Sequence, residues 1–421
     1  MNNIKKMTLG IYEETIGENS HLTIIDDTKV TSIQMAFIVN AGLLEPNEIL
    51  LDKMRVNGLV TLVMAKAFNI ALNELLNRNM FEQGVAFKSE VTSSKTIFNI
   101  SIPGKPYDFL TDILDCFITF DISNKTLEIA KKEAIFEMEQ RVHNLSQLSL
   151  LKAAGAIYKN IDPTEVFKEC QKKIRAINIT ILRKFYNRFY SSLNISVLFM
   201  GKVDKSLIRN ILEKSLCSSS KVKVNEIETK RDLGDNNSAI NNKLFQKDTK
   251  EKFSRLVLSY CFPLRKDLYD KYKDELFAIY QFLPYAVFGE KSSFSSGALK
   301  SGLIFQIHNS SVLEIGERTL LQEEMITFNP DKLVKYISDK KIKLLSNKHF
   351  NFLKKQLISI IIQNAHNFEF IRNLYLKSLS NNVRLVDFIN NIDELSCKKM
   401  NCFLNDMKKY QYAIYLERGA K

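Results

Sequence analysis

One order of elements occurs twice along the chain, on either side of a polar stretch without periodicity, and this limits the fold more than any other feature. "TSIQMAFIVNAG" in the first half is echoed by "FSRLVLSYCFPL" in the second, each an early buried strand. The apolar helix of "VNGLVTLVMAKAF" is echoed by "DELFAIYQFLPYAVFG", and "SGLIFQI" answers the strand that follows the first helix. The ends match too: "LRKFYNRFYSSLNISVLFMG" and "MNCFLNDMKKYQYAIYLERG" both read helix, then strand. Between the halves, "SSSKVKVNEIETKRDLGDNNSAINN" concentrates Ser, Asn, Asp and Gly. We place a domain over 1–217, a linker over 218–245 and a second domain over 246–421, which suits 421 residues. The expected class is α+β, two homologous domains, each a mostly antiparallel sheet packed with helices.

Within the first half, "HLTIID" and "TSIQMAFIVNAG" read as strands, followed by a helix from about Val56 to Asn79. "GVAFKSEVTSSKTIFNISIPG" reads as two strands around a Ser-rich turn. Pro106 suits the first turn of the next helix, and Ser123 or Asn124 the cap of "KTLEIAKKEAIFEMEQRVHN".

Composition removes several classes of function. The longest apolar runs, such as "LISIII", fall short of the ~20 residues that a membrane helix needs. The start, "MNNIKKMTLGIYEETIGE", has early acidic residues and no apolar core, so neither a secretory signal nor a transit peptide is expected; the expected location is cytoplasmic. Six cysteines (Cys116, Cys170, Cys217, Cys261, Cys397, Cys402) form no C-x-x-C pair and read as buried free thiols. A net charge of +13 favours acidic partners or acidic peptide segments. Its Lys and Arg residues are interleaved with Glu and Asp, however, so no nucleic-acid groove is expected. There is no G-x-S-x-G elbow and no phosphate loop, and nothing points to a Cys–His nucleophile.

Five short segments, in order, resemble the insulinase/pitrilysin family of zinc metallopeptidases: "TSIQMAFIVNAGLLEPNE", "GLVTLVMAKAF", "GVAFKSEVTSSKTIF" with Thr96 and Phe98, "FYNRFYSSLNISVLFMGKVD" and "FGEKSSFSSGALKSGLIFQI". The resemblance implies a mitochondrial-processing-peptidase-like duplication and an inverted zinc motif, H-x-x-E-H, on the Val56 helix. Aligning Gly58 with the preceding Gly puts Thr61 at the first His, Met64 at the Glu and Ala65 at the second His. Zinc needs nitrogen, sulfur or carboxylate donors at ~2.0–2.3 Å, and the Glu serves as general base for bound water. A Thr hydroxyl is a poor substitute, a Met thioether is neutral and soft, a methyl group binds nothing, and none of the three is a general base. The family's third ligand falls on Glu137 or Glu139, and a lone carboxylate does not hold zinc, so no metal and no cofactor is expected. His366 and Glu369 in "HNFEF" have half of the motif, with Phe370 at the second His, and read as coincidence on an amphipathic helix. His21, His143, His308 and His349 are isolated in sequence.

In the family, paired halves close around a peptide that adds as a strand to a sheet edge. The second half supplies an Arg and a Tyr to grip it. Here Lys300 or Leu299 stands near the Arg position and Phe305 at the Tyr, so the hydroxyl and the planar fork are lost. The other reading of Phe305 is a strand residue buried in the second core. The resemblance implies a non-catalytic subunit that pairs with a zinc-bearing homologous peptidase and binds an extended peptide. Such pairs occur in peptide-antibiotic maturation and presequence removal. The alternatives are an inert scaffold, as in respiratory-complex core subunits, or a stand-alone peptide-binding protein.

Overall fold

Period-two patterning builds two sheets, and the second repeats the plan of the first. The computed structural model describes residues 10–16, 20–43, 49–51, 54–56, 58–75, 84–103, 107–118, 122–157, 167–190, 195–218, 243–305, 307–315, 318–339, 342–381 and 383–420. The first half gives strands β1 (Gly10–Ile16), β2 (Ser20–Asp26), β3 (Ser32–Val39), β4 (Ile49–Leu51), β5 (Met54–Val56), β6 (Ala86–Val91), β7 (Thr96–Pro103) and β8 (Ile195–Gly201). The second gives β9 (Lys243–Asp248), β10 (Ser254–Cys261), β11 (Ile307–Ile315), β12 (Arg318–Thr327) and β13 (Tyr412–Arg418). The main sheets run β1-β2-β8-β3-β7-β6 and β11-β12-β10-β13-β9. Without β1, the plans coincide. In each half the first strand lies parallel to the last (β2 with β8, β9 with β13), and every other pairing is antiparallel. The duplication is therefore one of connectivity as well as of pattern, and the α+β class holds.

Both faces of each sheet are covered. Along β3, Met35, Phe37 and Val39 join the first-half core, while Ala36 and Ile38 join the second-half cluster. This is why the segment alternates and then reads as continuously apolar. The covering helices are exchanged between halves. In the first half α1 (Leu59–Leu75), α2 (Tyr107–Ile118) and α3 (Asn124–His143) precede α4 (Leu145–Ile157). From α4, Ala154 and Ile157 pack with Leu320 and Ala413 of the second sheet, and Leu150 and Ala153 with Val257. Ser149 donates to Glu417 at 2.8 Å, and Gln322 donates to the Leu150 carbonyl at 3.1 Å. The corresponding second-half helix, Phe368–Ser380, sends Ile371 and Tyr375 into the cluster that holds Ile25 and Ile38 of the first sheet. Arg372 on it pairs with Glu90 at 3.2 Å. Glu13 of β1 accepts from the Leu385 and Val386 amides at 2.8 and 3.2 Å, capping a second-half helix that has no capping side chain of its own.

The long helices before the exchanged pair also start alike. Ser123 accepts from the Thr126 amide at 3.0 Å and Ser346 from the His349 amide at 3.2 Å, so Ser123 is the cap of α3.

Some expectations change. The apolar helix starts at Leu59, with Val56 in β5, and 76–83 lie outside the described residues. "SGLIF" is not strand. It closes the helix Ser293–Lys300 with a Schellman turn, Gly302 to Leu299 and Leu303 to Ala298, in which Gly302 takes φ +64°; β11 begins only at Ile307. The "LPYAVF" echo leaves α-geometry as a five-residue π turn, Pro284–Phe288. Strand β1 was not anticipated. Pro106 and nearly all of the expected linker lie outside the described residues. Of the thiols whose side chains are described, four are half-buried rather than buried and Cys402 is exposed.

Candidate functional site

Helix α1 sits where the family's metal cradle would be, and it is built as core. Thr61, Met64 and Ala65 are 1%, 0% and 0% exposed. The Thr61 hydroxyl donates to the Gly42 carbonyl at 3.4 Å, a long contact. Below the helix, Phe68 stacks on Tyr190 at 5.2 Å and meets Phe98 edge-on at 5.6 Å. Gly58, at the start, lies so close to the turn after β3 that a Cβ there would come within 2.1 Å of the Leu43 carbonyl oxygen. Thr96 and Phe98 are fully buried in this arrangement, and Thr96 donates to the Ala41 carbonyl at 2.8 Å.

The two candidate carboxylates face different ways. Glu137 on α3 meets Lys66 of α1 at 2.7 Å and Arg141, one turn on, at 2.6 Å. Arg141 also donates to the Val91 carbonyl at the end of β6, at 2.7 Å. Burial pushes the Glu137 carboxyl up, but hydrogen bonds and charge from Lys66 and Arg141 outweigh it and hold the group below the ordinary value. Glu139 instead accepts from Gln171 at 2.6 Å. The carboxylate facing α1 is thus balanced by two cations, and the residues present do not fit a zinc ion. A neutral hydroxyl, a thioether, a methyl group and a paired Glu offer no ligand set. Lys66 and Arg141 were missed in the sequence, though "MAKAF" sets a Lys beside the second motif position and "EMEQR" has Glu–Arg spacing of one turn.

The second-half positions lie apart from this centre in the chain. Lys300 is exposed in the last turn of its helix. Phe305 is 56% exposed, so it is not a buried core residue; its ring meets Phe328, itself 61% exposed, edge-on at 4.6 Å. His366 is not on a helix but in the turn before Phe368–Ser380. It bonds buried Asp27 at 2.5 Å and Lys29 at 3.2 Å, and so ties the halves together. His21 and His143 are exposed, His349 is half-buried, and the side chain of His308 lies outside the description.

The fold and site together define a duplicated α+β scaffold whose helix α1 presents no metal ligands at Thr61, Met64 and Ala65. Residues 176–280 match the family model described as the peptidase M16 inactive domain. Three solved structures share the fold. A protein described as an M16-like peptidase from Alicyclobacillus acidocaldarius superposes with TM-score 0.75 at 14% identity, over 98% of this chain and 99% of that one. The peptidase M16 inactive domain from Pseudomonas fluorescens gives 0.74 at 13%, over 98% and 99%. The periplasmic protease PqqL from Escherichia coli gives 0.67 at 12%, over 97% of this chain but 48% of that one, so this chain matches one half of it. No curated protein matches by sequence. The chain is thus similar to the M16 inactive-domain model over residues 176–280 and shares the fold of M16-like peptidases over nearly its whole length.

Proposed function

We propose that this chain is the non-catalytic half of a two-chain peptidase, pairing with a zinc-bearing homologue and enclosing an extended precursor peptide with it. One observation carries the reading: the positions of the metal cradle are closed into core, and Glu137 is neutralised by Lys66 and Arg141, while the whole M16 scaffold is kept. A fold retained without its chemistry still offers a chamber wall. Strand β6 is one of the two edges of the first sheet, pairing among the described residues with β7 alone, and such an edge binds an extended backbone through main-chain hydrogen bonds. The test is a titration of this chain into a zinc-bearing M16 subunit from the same cell, following hydrolysis of a fluorogenic peptide. Alone, this chain should hydrolyse nothing. Together, the rate should rise well above the partner's own. An unchanged rate would leave an inert scaffold instead.

A further inference from the structure

A cavity of about 1020 Å³ opens between the two halves, at the turn that joins β6 to β7. Thr92, Ser93, Ser94 and Lys95 of that turn form one rim, and the helical layer of the second half, with Ser310 to Leu313 of strand β11, forms the rest. The floor is apolar: Phe277, Phe288, Leu353, Ile361 and Leu374 line it and are each less than 9% exposed. The five-residue π turn contributes Tyr285 to the wall, and such turns recur at binding sites. Among the described residues lining the cavity, the basic groups are Lys95, Lys291 and Lys377, and the carboxylate is Glu290. The walls hold the ammonium groups in place. Lys377 donates to Gln281 at 2.7 Å, and Lys291 lies over the Phe352 ring at 4.0 Å. Gln281 and Phe352 line the cavity as well.

We propose that this cavity selects the peptide, taking bulky apolar side chains from a segment that is itself acidic. The proposal rests on the peptide-binding reading above and goes beyond it by naming the class of sequence preferred. The volume is at the upper end for ligand sites, ~300–1,000 Å³, which leaves room for several side chains. An apolar floor rewards Leu- or Phe-like groups in proportion to the area that they remove from water. Three cations against one carboxylate attract acidic neighbours and repel basic ones. The site adjoins the end of the β6 edge, so a strand laid along β6 would deliver its side chains to the cavity.

The experiment uses the full chain and four labelled peptides of equal length: acidic–apolar, basic–apolar, acidic–polar and basic–polar. Fluorescence anisotropy should show the acidic–apolar peptide bound at least about tenfold more tightly than the other three. The double variant Lys291→Glu, Lys377→Glu should lose that charge preference. Asn373→Trp, at an exposed position on the lining, should fill the mouth and lose the apolar preference. Unchanged circular dichroism and thermal melts confirm that each variant folds. Equal binding of all four peptides, or a preference that survives both variants, overturns this proposal and leaves peptide binding intact. Failure to bind any peptide overturns both.

Discussion

Replacing Glu323 with Gln should stabilise the protein, and increasingly so as pH rises. Glu323 is fully buried on β12, where one carboxyl oxygen accepts from Ser310 and the other has no partner. Burial pushes the carboxyl up to about 8; the Ser310 hydrogen bond pulls partly back, and the neighbouring Glu324 charge pushes up again. Unfolded, the group returns to about 4.5. The folded state therefore keeps a proton that the unfolded state releases. The stability tied to this group is complete below about pH 4.5 and is lost as pH rises through about 8. At about 1.4 kcal/mol per unit, the loss is roughly 3 kcal/mol at pH 7 and under about 1 kcal/mol at pH 5. Gln is neutral at every pH and has nearly the same shape. The assay is urea unfolding of both proteins at pH 5, 6, 7 and 8, comparing them at each pH so that all other titrating groups cancel. The variant should gain on the wild type by on the order of 2 kcal/mol between pH 5 and pH 7. Parallel pH curves, or a variant that loses ground at pH 8, would refute the reasoning.

Glu137→Gln should act in the opposite sense. It leaves Lys66 and Arg141 without their carboxylate, costing on the order of 1–3 kcal/mol at pH 7 by denaturant unfolding. Because the folded carboxyl is held low, its stabilisation is present above about pH 4.5 and fades as pH falls through the folded value, so variant and wild type should converge in acid. Ser123→Ala and Ser346→Ala remove equivalent caps, and each should cost about 1 kcal/mol in the same assay. Residues 246–421 expressed alone should show no cooperative thermal unfolding, because α4 no longer covers Leu320 and Val257 of their sheet; a sharp transition in that fragment would show that the exchange is dispensable.

The sheets were legible because their residues alternate: β3 and β10 carry the pattern in "SIQMAFIV" and "SRLVLSYC". The want of zinc ligands at positions 61, 64 and 65 was legible for a chemical reason, since a Thr hydroxyl, a Met thioether and an Ala methyl are no ligand set whatever the fold does. What stands in their place was not. The Lys66–Glu137 pair joins residues 71 positions apart on two helices, and no local pattern records it. Strand β1 escaped because "GIYEETI" is half polar and earns its place by pairing with β2 along its full length. The segment before β11 was misread because apolar "GLIF" suits a strand equally well, and only the left-handed Gly302 tells the two apart.

The helix exchange couples the two halves through the faces of their sheets. Here α1 underlies the aromatic cluster of Phe68, Phe98 and Tyr190, and the same sheet's other face carries the second half's helix through Ile25, Ile38 and Tyr375. Disturbing α1 therefore disturbs β3 and β7, and through them the packing of the second half. The substitutions that this helix tolerates are those that keep volume and apolarity at buried positions. Thr61, Met64 and Ala65 are such buried positions, and a partly shielded Lys66 at the helix rim pairs with Glu137 on α3. Helix α1 is thus a structural post, held by packing at its buried positions.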